Sequence, residues 1–76
     1  MSPTSTFGYV LVYSTSQALR IEKLLQQTQL GCKLVPVPRH LSSDCGVCVR
    51  IELEDLVKAR QIISQANIHP IDIVPG

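Results

Sequence analysis

One segment of the chain concentrates residues that could do chemistry. Residues 36–50 read Pro-Val-Pro-Arg-His-Leu-Ser-Ser-Asp-Cys-Gly-Val-Cys-Val-Arg. Cys45 sits between Asp44 and Gly46, with Ser42 and Ser43 just before it and with Arg39, His40 and Arg50 within a few residues. A cysteine is a nucleophile only as the thiolate, and cations or N–H donors nearby lower its pKa from ~8.5 toward neutrality. Arg39 and Arg50 are therefore expected to stabilise a Cys45 thiolate, with Ser42 and Ser43 donating hydrogen bonds to it. Asp44 opposes this, because its charge pushes the thiol pKa upward. Gly46 permits a tight turn, or a positive φ, beside the thiol. Pro36 and Pro38 stiffen the entry to the segment.

Cys48 gives a Cys45-Gly-Val-Cys48 spacing, which is found in redox pairs and in half-sites for metals. A structural metal normally takes four ligands. Beyond this pair the chain offers Cys32, His40 and His69 but no second C-x-x-C, so no metal and no cofactor is expected. A disulfide requires Cα atoms within roughly 7 Å, whereas residues three apart in a strand are about 10 Å apart. Only a turn at Gly46 would bring Cys48 in as a second thiol. Cys32 reads as a packing residue, His69 as a loop histidine, and Tyr9 and Tyr13 as sheet or interface residues.

The elements that position this segment follow from hydrophobic period. Gly8–Tyr13 reads as a strand, and Ser14-Thr15-Ser16 as the N-terminal cap of a helix. Ala18, Ile21, Leu24 and Leu25 recur at helical spacing, and Gly31 is the expected stop. Lys33–Val37 reads as a second strand, placed at an edge by Pro36. Val47–Glu52 alternates strictly, which marks a half-buried strand. Glu54-Asp55 opens a second helix whose expected inner stripe is Leu56, Val57, Ala59, Ile63 and Ala66, with Asn67 as its cap. Ile71–Val74 is the last strand. The order β-α-β-β-α-β predicts an α+β, ferredoxin-like fold. A four-stranded antiparallel sheet would carry both helices on one face. The expected core is Val10, Val12, Leu24, Leu25, Val47, Val49, Ile51, Leu56 and Ile63. Residues 1–7 read as a disordered lead-in and 8–76 as the single domain.

Composition narrows the classes. The chain has 76 residues, 45% of them hydrophobic and 17% charged, a globular balance rather than a disordered one. Its formal net charge is +1, from seven basic and six acidic residues. With no basic run there is no electrostatic footprint for nucleic acid. No apolar stretch approaches the ~20 residues of a membrane span. The first residues lack the pattern of a signal peptide. An odd set of three cysteines fits a reducing, cytoplasmic location better than a disulfide scaffold.

Nearly the whole chain, and the 36–50 segment most closely, resembles the Se/S carrier protein-like family of short prokaryotic proteins. Pro36, Pro38, Arg39, Ser42, Ser43, Cys45, Gly46 and Arg50 match the family pattern, whereas Cys48 departs from it. The resemblance implies a cysteine that carries sulfur or selenium as a persulfide or selenosulfide. It implies a transfer partner rather than an enzyme with its own turnover, loaded by a desulfurase-type donor or another protein of selenium metabolism. The alternative is a non-catalytic module that binds a small anion between Arg39 and the Ser-Ser-x-Cys-Gly turn, in a regulatory or interaction role.

A homodimer is expected, joined through the sheet face that no helix covers or through an edge strand. Light scattering should report twice the chain mass at high micromolar concentration, and a monomer there would refute the expectation.

Overall fold

A computed structural model describes residues 7–39, 41 and 46–75. The elements are β1 (Phe7–Leu11), α1 (Thr15–Gln27), β2 (Cys32–Pro36), β3 (Val47–Glu52), a 3₁₀ turn (Leu53–Asp55), α2 (Leu56–Gln65) and β4 (Asp72–Pro75). The strands form one sheet in the order β2-β3-β1-β4, and every neighbouring pair is antiparallel. This is the ferredoxin-like arrangement that the sequence predicts. Among the described residues no helix is long and apolar enough to cross a membrane.

Register sorts the side chains into two faces, because directly opposed residues of antiparallel strands project to the same side. Val10 opposes Val49 on one flank and Ile73 on the other, and Gly8 opposes Ile51. These apolar residues pack against Ala18, Ile21 and Leu25 of α1 and Ala59 and Ile63 of α2. Both helices therefore lie on one face. Gly8 makes the close approach of α2 possible: a Cβ there would stand 2.6 Å from Leu56 Cδ1. The other face carries Phe7, Tyr9 and Leu11 of β1, Cys48, Arg50 and Glu52 of β3, Lys33 and Val35 of β2, and Asp72 and Val74 of β4. It is not uniformly open, since Leu11 is only 5% and Cys48 0% exposed.

Six of the nine expected core residues are buried, while Leu24, Val47 and Leu56 pack half-buried against the core. Val57 does not belong to the inner stripe and is 65% exposed. A 3₁₀ turn precedes α2, which starts at Leu56; the inner side follows Leu56, Ala59, Ile63 and Ala66, and at about 100° per residue Val57 falls well off that stripe. Phe7, assigned to the lead-in by sequence, is the first residue of β1.

A side chain closes the N-terminus of α1, and backbone bonds close the C-termini of both helices. Ser14 caps α1 by accepting a hydrogen bond from the Gln17 amide at 3.2 Å. Gln17 Oε1 accepts from the Tyr13 amide at 2.9 Å, and its Nε2 donates to the His69 carbonyl at 3.2 Å. At the C-termini the two helices end alike. Gln29 takes φ 64° and Asn67 φ 59°. The Leu30 amide returns to the Leu25 carbonyl at 3.0 Å, and the Ile68 amide to the Ile63 carbonyl at 3.2 Å. These are Schellman closures, each with an apolar residue just beyond the left-handed one. Gly31 is thus not the stop. Leu30 and Ile68 are drawn into the core, and that contact fixes the left-handed position one residue earlier.

A glutamine in the left-handed region is strained by roughly 1 kcal/mol relative to glycine. Gln29→Gly should therefore raise the thermal midpoint by several degrees, whereas Gln29→Val should lower it. Thermal unfolding by circular dichroism checks both, and an unchanged midpoint in Gln29→Gly would contradict the strain argument.

Candidate functional site

Three connections meet at one end of the sheet. β1 ends at Leu11, opposite Cys48 and Asp72, and β2 ends at Pro36, opposite Val47. The exit into α1, the β2–β3 connection and the α2–β4 connection therefore all emerge there. The α2–β4 connection is tied to β1 by the Ile71 amide, which donates to the Leu11 carbonyl at 2.8 Å. The β2–β3 connection is held at its neck, where the Val37 amide donates to the Gly46 carbonyl at 3.1 Å. A second bond, from the Leu41 amide to the Pro38 carbonyl at 3.0 Å, closes a turn that carries Arg39. Two prolines and these two bonds fix the entry and neck of the segment that the sequence singles out.

The expected site residues are distributed as follows. Cys45, Ser42 and Ser43, together with His40 and Asp44, lie outside the described residues. Arg39 is exposed on the turn. Gly46 is also exposed, and among the described residues nothing lies within 4 Å of a Cβ built there. Its carbonyl is the acceptor at the neck. Arg50 is half-buried, with its guanidinium carbon 4.2 Å from the centroid of the Phe7 ring. Phe7 opposes Glu52, so this contact draws the guanidinium toward the end of β3 that lies away from Gly46. The structure therefore places Arg39 and Gly46 at the loop and the Arg50 charge toward the opposite end of the sheet.

Of the two described thiols, Cys48 is fully buried on the face away from the helices, between Leu11 and Val35 in register. Cys32 is half-buried, and its Sγ donates to the Glu22 carbonyl at 3.5 Å. Burial raises the Cys32 pKa above the ordinary thiol value, and the Glu22 carboxylate adds to the rise. Both effects disfavour the thiolate.

By sequence alone His69 reads as a loop histidine. In the fold, a cavity of about 430 Å³ at the loop end of the sheet is lined by His69, Arg20, Ser14, Ser16, Gln17 and others. The Gln17–His69 hydrogen bond that spans this region joins residues 52 apart in the chain, a separation that no local motif announces. Among the described residues no three metal-ligating side chains converge.

Alkylation of Cys32 should require higher pH than alkylation of an unstructured cysteine. Glu22→Gln should move its labelling profile part of the way down, because the backbone acceptor and the burial remain. Site-resolved iodoacetamide labelling across pH measures this, and a Cys32 profile at or below that of a model thiol would contradict it.

No curated protein and no solved structure matches the chain. The family described as Putative Se/S carrier protein-like matches residues 7–75, from the first residue of β1 to the last of β4. With the sheet and its loop neck contained in that span, the chain belongs to the Putative Se/S carrier protein-like family.

Proposed function

We propose that the protein is a sulfur or selenium carrier whose working thiol is Cys45. The observation that carries this reading is the withholding of the other two thiols. Cys48 is fully buried, and Cys32 is half-buried with its thiolate disfavoured. Family membership supplies the reaction class, and the fixed neck of the β2–β3 connection supplies a rigid base beneath the segment.

In the proposed step the Cys45 thiolate attacks the outer sulfur of a persulfide on a desulfurase-type donor. A new S–S bond forms to Cys45, the donor S–S bond breaks, and the donor leaves as its thiolate. Electrons balance without an external oxidant, and the same exchange with an acceptor thiolate regenerates Cys45. For selenium, the outer atom is selenium and the bookkeeping is unchanged. Arg39, exposed on the turn, favours the anionic forms of thiol and persulfide, with Ser42 and Ser43 as further donors. Arg50, with its guanidinium drawn toward Phe7, is the second cation of the segment and the lesser contributor in this reading.

Incubation with a desulfurase and cysteine, followed by mass spectrometry under non-reducing conditions, should show one added sulfur atom on the Cys45 peptide. Cys45→Ser should lose the adduct, while Cys32→Ser should retain it. Arg39→Ala should slow Cys45 alkylation near neutral pH more than Arg50→Ala does. An adduct on Cys32 or Cys48, or none on any cysteine, would overturn the proposal.

A further inference from the structure

At the end of the sheet opposite the loop, a cavity of about 240 Å³ is lined by Phe7, Lys33, Arg50 and Glu52 among others. Lys33 and Arg50 are direct cross-strand partners on the face away from the helices. Like charges opposed in this way are destabilising. Among the described residues no carboxylate forms an ion pair with either of them. The Arg50 guanidinium carbon lies 4.2 Å over the centroid of the Phe7 ring, a cation–π contact that holds the group beside the cavity, and among the described residues no acceptor takes a hydrogen bond from it. Lys33 is exposed beside it.

We infer that this corner is an oxyanion site, separate from the loop and taking the phosphate or carboxylate group of a small molecule. An oxyanion between the two cations relieves their repulsion and accepts paired hydrogen bonds from the Arg50 edge. The cavity is smaller than the ~300–1,000 Å³ of drug-sized sites, so it suits the anionic group and a few further atoms. Glu52, two residues beyond Arg50 on the same strand face, leaves the three charged groups with one net positive charge. That balance favours a small anion over the polyanionic backbone of nucleic acid, which requires many basic contacts.

The test is a titration of the full chain, followed by amide and arginine side-chain NMR signals, with inorganic phosphate in one arm and succinate in the other. Saturable shifts confined to residues around Phe7, Lys33, Arg50 and Glu52 are expected, and the tighter arm identifies the anion class. Arg50→Gln should weaken binding about tenfold, the loss of charge-assisted hydrogen bonds, and Arg50→Lys should restore only part of it. Phe7→Leu should weaken it several-fold by releasing the guanidinium, and Glu52→Gln should strengthen it. Signal dispersion in each variant reports that the fold is retained. Cys45→Ser should bind as the unaltered chain does, which separates this site from the carrier reading. Non-saturating shifts, equal affinity in Arg50→Gln, or a dimer that buries this corner and is not displaced by phosphate would overturn the inference.

Discussion

The structure depends on the register of β1. As a central strand it is paired on both edges, with Val10 held against Val49 on one side and Ile73 on the other. Because side chains alternate along a strand, a slip of one residue would exchange the two faces of β1. Val10 would leave the helices, and Tyr9 and Leu11 would turn toward them in its place. The core would lose a fully buried valine at its centre, so the register is strongly specified. It also sets which chain connections gather at which end, and hence where the loop containing Cys45 emerges.

A domain of this size has little core to spare, and the helix termini are closed economically. Leu30 and Ile68 each serve twice, as the residue that completes a Schellman closure and as part of the core. The Gln17 side chain likewise joins two connections, accepting from Tyr13 and donating to His69. The loop end of the sheet is thereby built on a braced platform rather than on free chain ends. Gly8 serves the same economy from the sheet side, by letting Leu56 settle directly on the strand.

The two described cysteines occupy different physical settings. Cys48 is buried on the face away from the helices, and Cys32 is half-buried with its thiol directed at a helix carbonyl. Reactivity follows thiolate population and access, so the fold differentiates thiols that composition alone would count as equivalent. The cationic residues are sorted in the same way. Arg39 stays at the turn, while Arg50 is drawn to Phe7, so two arginines that sequence groups around one thiol are divided between the two ends of the sheet.

The sequence by itself determined what depends on local pattern. The period-two run of Val47–Glu52, the helical spacing of Ala18, Ile21 and Leu25, the Ser14 cap and the βαββαβ order are each carried by neighbours along the chain, and each appears in the fold. The family was legible for the same reason, since its pattern is a contiguous string around Cys45. Tertiary structure alone decided what depends on packing between distant segments. Gln29, not Gly31, takes the left-handed turn because Leu30 must reach the core. Arg50 lies on Phe7, and His69 comes beside Arg20 and Gln17, because the antiparallel register and the two helix crossovers bring together residues that no spacing in the chain relates.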